Sequence, residues 1–103
     1  MLTTDEGAAQ WVSDLCRLRR PTLLLAAGIT CLELREHEAA LAVLELCARL
    51  EPDNAEAHLL VGKSLLALER TDEAARALEQ AARVDPGCLE AKSLLLWCYS
   101  STG

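Results

Sequence analysis

Apolar residues recur along the chain at spacings of three and four, which is the period of a helix buried on one side. Short polar breaks divide these positions into segments. We therefore predict helices near residues 5–19, 22–34, 37–50, 55–68, 72–84 and 88–99. Asn54 and Thr71 lie just before two of these segments, and such residues commonly cap helix starts.

The first predicted helix, over residues 5–19, has an apolar face of its own. The members of that face are Ala8, Trp11, Val12, Leu15 and Leu18. A helix with one apolar side is typical of an element that packs on a neighbour by that side. We therefore expect residues 1–20 to form a cap at the start of the domain.

A repeat of 34 residues covers most of the chain. Shifting the sequence by 34 positions superimposes identical residues, among them Gly28 on Gly62 and Ala40 on Ala74. In each unit the glycine lies midway along the first predicted helix, the alanine lies near the start of the second, and a proline follows its end. Each unit is therefore predicted to be a helical hairpin.

Composition supports helices throughout the chain. The 103 residues include 22 Leu and 17 Ala, both strong helix formers, whereas aromatic residues make up only 3%. Few β-branched or aromatic residues are left to build a sheet. We predict an all-α fold.

The repeated residues resemble the tetratricopeptide repeat (TPR) family. Small residues and prolines occupy the positions at which that family has them: Gly28, Ala40, Cys47 and Pro52 in one unit, and Gly62, Ala74, Ala81 and Pro86 in the next. The resemblance implies a right-handed superhelical stack of about six helices in a single domain. Its expected parts are a cap over 1–20, repeats over 21–54 and 55–88, and a half repeat over 89–103.

The resemblance also implies a binding surface. TPR arrays bind peptides on a concave groove that is lined by the first helix of each unit. In this chain the residues expected there are Leu25, Ala26, Ile29, Leu32, Leu59, Leu60, Lys63, Leu66, Leu94 and Trp97. TPR proteins that clamp a C-terminal carboxylate use several Lys, Arg and Asn side chains, and only Lys63 could contribute here. We therefore expect hydrophobic contacts to determine affinity.

More narrowly, the chain resembles the small TPR chaperones of bacterial type III secretion, on Leu23 to Gly28, His37 to Ala40, Leu50 with Pro52, and Asp85 with Pro86. That resemblance implies a cytoplasmic chaperone that shields a hydrophobic or amphipathic segment of a small secreted partner in a heterodimer. A homo-oligomeric TPR scaffold and an adaptor domain of a larger assembly are the alternatives. The apolar run from Leu94 to Tyr99 has no following helix, so we expect the chain to depend on a partner or to self-associate.

Charge and candidate chemistry exclude several functions. The net charge is −6 without a cluster of basic residues, which disfavours nucleic-acid binding. No uncharged stretch is long enough to span a membrane, and the N-terminus lacks the pattern of a secretion signal, so we expect a cytoplasmic protein. The five cysteines lack metal-ligand spacing, and His37 and His58 have no paired nucleophile. We predict no enzyme activity, no cofactor and no metal.

Overall fold

A computed structural model of the chain describes residues 20–102, which form five α-helices. They are α1 (Pro21–Glu33), α2 (His37–Leu50), α3 (Ala55–Ala67), α4 (Thr71–Val84) and α5 (Leu89–Thr102). These residues contain no strand, which confirms the all-α prediction for the part of the chain described. The predicted helix over 5–19 lies outside the described residues, so its role as a cap stays a prediction.

The first four described helices begin and end within one residue of the predicted positions, whereas α5 continues three residues further, to Thr102. Each helix packs against the next along the chain, and α1 also contacts α3. Pairs α1–α2 and α3–α4 are the two predicted hairpins. The handedness of the stack and the bounds of the repeat units stay predictions.

The turns within the two hairpins have the same backbone geometry. Arg35 follows α1 at φ 61°, and Glu69 follows α3 at φ 62°, so both residues adopt the left-handed conformation. Their neighbours close each turn in the same way: Glu36 N–H donates to Cys31 O, and Arg70 N–H donates to Leu65 O, each at 2.8 to 2.9 Å. This conformation ends a helix efficiently, but it suits glycine better than a residue with a Cβ atom.

Replacing Arg35 by Gly is therefore expected to stabilise the protein, by about 0.5–1 kcal/mol in the free energy of unfolding. Relief of backbone strain outweighs the extra entropy that Gly adds to the unfolded chain. The matched control is Arg76→Gly, at an exposed position in the middle of α4, which is expected to destabilise by about 1 kcal/mol because Gly disfavours a helix interior. Urea unfolding followed by circular dichroism measures both. A loss of stability in Arg35→Gly would contradict the assignment of strain to this turn.

The turns between hairpins also repeat. Glu51 and Asp85 end α2 and α4 at φ −130°, and each precedes a proline, which disfavours helical backbone in the residue before it. Asn54 then caps α3, because its side-chain oxygen accepts a hydrogen bond of 3.1 Å from the backbone N–H of Ala57. The prolines therefore separate the hairpins at fixed places along the chain.

Close approach of the helices explains the two repeated glycines. A Cβ atom built on Gly62 would lie 2.7 Å from both Cγ and Cδ2 of Leu78, and one built on Gly28 would lie closer still to Leu44. Leu44 and Leu78 are fully buried. The absence of a side chain at each glycine is what lets the leucine of the second helix fill the hairpin core.

Candidate functional site

The first helices of successive units lie side by side, and together they present the candidate site. Leu25, Ile29 and Leu32 share one side of α1 because they are spaced by four and three residues. Helix α1 contacts α3, and an ion pair between Lys63 of α3 and Glu90 of α5 joins the next two first helices. We call the surface formed by the ten predicted binding residues the groove face.

Most apolar members of the groove face are partly covered by the core beneath them. Leu25, Ile29, Leu32, Leu66 and Leu94, from all three first helices, are half-buried and pack against the core, and we call them together with Trp97 the apolar strip. Ala26 is exposed, and Trp97 is the most open large side chain of the set, at 55%. The strip therefore exposes apolar surface to water while its half-buried members remain packed against the core.

Leu59 and Leu60 were also predicted to lie open on the groove face, but they are buried. Each is only 8% exposed, and both belong to the core that joins the helices. The sequence-based expectation of an open position is therefore wrong for these two side chains. The physical reason is the place of α3, which contacts α1, α2 and α4, so its neighbours cover residues that stay more open at the ends of the stack.

The charges along the groove face are mainly negative. Glu33, Glu56 and Glu90 lie at positions of the first helices that share this side, and all three are exposed. Lys63, the one basic residue of the ten, is already paired with Glu90. This ion pair between successive units was not predicted from the sequence. The sequence did contain a signal for this ion pair, because Lys63 and Glu90 have opposite charges and were assigned to the same face of adjacent first helices.

A second open surface lies on the other side of α5. Leu89, Leu96 and Tyr99 are 74%, 68% and 51% exposed. The residues at the repeat positions of Leu96 and Tyr99 in the preceding unit, Gly62 and Leu65, are buried because α4 covers them. Within residues 20–102 no helix follows α5 to do the same. The predicted exposed run is therefore confirmed at Leu96 and Tyr99.

Part of that run is instead buried. Cys98 is only 1% exposed, and Leu95 is half-buried against the core. The hydroxyl of Tyr99 donates a 2.8 Å hydrogen bond to Glu79, which ties α5 to α4. That hydrogen bond is the main cause of the raised pKa of Tyr99. Helix α5 is therefore anchored on α4 while its outer side stays open.

Two cysteines and one histidine of this part of the chain, Cys31, Cys47 and His58, fit structural roles. Burial raises the pKa of the Cys31 and Cys47 thiols, so both are held in the unreactive protonated form at neutral pH. The Cys47 thiol lies 3.4 Å from the carbonyl of Pro21 and joins α2 to the start of α1. His58 Nε2 lies 2.8 Å from the carbonyl of Pro52, across the turn that precedes α3. None of these contacts pairs a nucleophile with a base.

The described residues contain no cluster of three or more His, Cys, Asp or Glu side chains that could hold a metal ion. None of the five helices is long and apolar enough to cross a membrane.

Comparison with known proteins identifies a matching family and a similar fold. A protein-family model described as "Tetratricopeptide repeat" matches residues 24–98. Among solved structures, the first TPR of Spaghetti (RPAP3) bound to the HSP90 peptide SRMEEVD is similar, with a TM-score of 0.79 at 20% sequence identity. The match covers 82% of this chain and 67% of that one, and at this identity it bears on the fold alone. No curated protein matches the sequence.

Proposed function

The chain belongs to the tetratricopeptide repeat family, and on that premise we propose that it binds an apolar or amphipathic segment of a partner protein on the groove face. The observation that carries the proposal is the apolar strip, with Trp97 55% exposed at its end. Proteins of this family are interaction modules, and the described residues contain no arrangement that points to catalysis.

The energetics favour apolar contacts over charge in this site. Burying an exposed Leu-sized side chain contributes about 1.5–3 kcal/mol, whereas an exposed ion pair contributes at most about 1 kcal/mol. The strip contains several half-buried apolar residues, and Lys63, the single basic residue of the groove face, already has a partner. A few apolar side chains of a partner would therefore supply most of the binding free energy.

The structural neighbour binds an HSP90 peptide, SRMEEVD, which supports a protein or peptide as the partner here. Two features of this chain argue against the same ligand. A peptide with two glutamates, an aspartate and a C-terminal carboxylate calls for several basic side chains, and the groove face has only Lys63. Lys63 is also paired with Glu90. We propose a different segment as the ligand.

The narrower function, a cytoplasmic chaperone of type III secretion in a heterodimer with a small secreted protein, is one form of this proposal. The comparisons do not support it, because the matched family and structure are those of the repeat in general. The residues that carry the resemblance, such as Gly28 and Ala40, are the repeat residues themselves. The broader proposal, a protein-binding module, does not depend on this narrower assignment.

The exposed outer side of α5 favours a second candidate function, a TPR scaffold or adaptor domain that binds through its end. Leu89 and Leu96 would then contact another copy or another protein. The two candidates place binding on different sides of one helix. Substitutions on α5 can therefore separate them.

Replacing Trp97 by Ala is expected to weaken the binding of a peptide, selected by phage display on the unmodified chain, by at least about tenfold, because exposed aromatic anchors dominate such interfaces. The matched control is Leu96→Ala, one residue earlier and about 100° around α5 from Trp97, where the exposed fraction is 68%. It should leave the affinity unchanged. Fluorescence anisotropy of the labelled peptide measures both variants, and circular dichroism checks that both keep their helices.

The opposite result, in which Leu96→Ala weakens binding and Trp97→Ala does not, would place the site on the end of the stack and support the scaffold or adaptor. Failure to select any peptide on the unmodified chain would contradict the proposed function. Stability should change little in either variant, since surface substitutions usually stay within about 0.5 kcal/mol.

A further inference from the structure

We propose that the segment bound by the groove face is basic as well as amphipathic, with Lys or Arg side chains at the edges of its apolar side. The inference rests on the proposed function and names the chemical class of its ligand. It follows from the signs, positions and partners of the charges that border the apolar strip.

The charges on this side of the three first helices do not balance. Three carboxylates, Glu33, Glu56 and Glu90, are exposed there, against the single ammonium group of Lys63. A bound segment must pass close to these groups in order to cover the apolar strip. Complementary charge on the segment would speed its association and select it over acidic segments.

Lys63 does not provide a site for an acidic ligand among these carboxylates. Its ammonium group is paired with Glu90, and the two side chains are 37% and 54% exposed. An acidic ligand would have to displace Glu90 from Lys63, and the Glu90 carboxylate would then lie beside the ligand's own negative charge. A basic ligand instead meets carboxylates from α1 and α3 that have no ion-pair partner within residues 20–102.

Of the three carboxylates, Glu33 has the position that is least favoured by its own helix. Glu56 and Glu90 lie in the first turns of α3 and α5, where a negative charge is favoured by the helix dipole. Glu33 is the last residue of α1, where the same dipole disfavours it. Arg35 lies two residues away and forms no ion pair with it in the part of the chain described. A basic group on a ligand would provide the missing counter-charge.

Trp97 adds a second feature that suits a basic side chain. It lies seven residues after Glu90 on the same side of α5, about 10 Å along the helix. An exposed indole ring attracts Lys and Arg through its π face. One end of the groove face therefore combines an aromatic surface with a carboxylate.

Two synthetic helical peptides test the inference directly. Both have the same apolar residues along one side and about 16 residues, enough to span roughly 24 Å as a helix. One has Lys at the flanking positions, and the other has Glu. Fluorescence anisotropy with the unmodified chain should give an affinity about tenfold higher for the Lys peptide at low salt, and the difference should shrink as salt is added.

Substitution of Lys63 gives the sharper prediction, because it should improve binding. Lys63→Met removes the ammonium group and leaves Glu90 open to the ligand, so the affinity for the Lys peptide should rise by about two- to fivefold. Lys92→Met is the matched control. It also removes one positive charge, but Lys92 lies on α5 two residues after Glu90 and therefore on another side of that helix. It should change the affinity less than Lys63→Met does.

The remaining variants test the carboxylates. Glu33→Gln with Glu56→Gln should lower the affinity for the Lys peptide by about fivefold, while Glu45→Gln on α2 should have little effect. Equal binding of the two peptides would overturn this inference and leave the proposed function intact. Tighter binding of the Glu peptide, lost in Lys63→Met, would also overturn it. If neither peptide binds, the proposed function itself is contradicted.

Discussion

Replacing Leu44 by Ala is expected to lower the free energy of unfolding by about 3–4 kcal/mol. Leu44 is fully buried, and its side chain fills the space above Gly28 in the first hairpin. Glycine has no side chain that could move into the resulting cavity, so the surrounding core can relax only partly. Because domains of this size are stable by only about 5–15 kcal/mol, this one substitution removes a large share of the total.

Leu34→Ala is the matched control for that prediction. It makes the same chemical change at a residue that is 56% exposed, and it should lower stability by no more than about 0.5 kcal/mol. Leu78→Ala should behave like Leu44→Ala, since Leu78 occupies the equivalent position over Gly62 in the second hairpin. Urea unfolding measured by circular dichroism gives all three values. A small effect of Leu44→Ala would show that the hairpin core is less tightly packed than the structure indicates.

Replacing Gly28 by Ala is expected to destabilise the protein by about 1–3 kcal/mol, although Ala is the better helix former. The added methyl group would overlap the Leu44 side chain, and Leu44 has no exposed space into which it can move. Gly87→Ala is the control, because a Cβ atom there meets only the Asp85 carboxylate, at 3.4 Å. That substitution should have almost no effect on stability.

A double-mutant cycle identifies the cause of the Gly28→Ala effect. In the Leu44→Ala background the overlap is gone, so Gly28→Ala should change sign and stabilise the protein by up to about 1 kcal/mol, the helix preference of Ala over Gly. The same unfolding measurements provide all four corners of the cycle. Equal destabilisation by Gly28→Ala in both backgrounds would mean that something other than Leu44 excludes a side chain at this position.

The two hairpin cores also explain why the outer side of α5 differs from the covered sides of α1 and α3. Leu96 stands at the repeat position of Gly28 and Gly62, and it is 68% exposed. A helix packed there as closely as α2 packs on α1 would overlap the Leu96 side chain, just as a Cβ atom on Gly28 would overlap Leu44. A helix or protein that covers α5 must therefore approach less closely than the second helix of each hairpin does.

The helices and their ends were predictable from the sequence because their causes are local. Apolar spacing identifies a helical segment, Pro52 and Pro86 prevent continuation between hairpins, and the repeat of Gly28 at Gly62 identifies the close helix pairs. Each of these signals acts within a few residues or recurs at a fixed interval. The family and the all-α fold followed from them.

Only the tertiary structure decided which apolar residues stay open. Leu25 and Leu59 are the same residue at the same repeat position, yet Leu25 is half-buried and Leu59 is a core residue. The pairing of Lys63 with Glu90 likewise depends on α3 and α5 lying within reach of each other. A periodic sequence determines which side of a helix a residue occupies. The exposure of that side depends on how many neighbouring helices cover it, and this differs between the middle and the ends of a stack even where the sequence repeats.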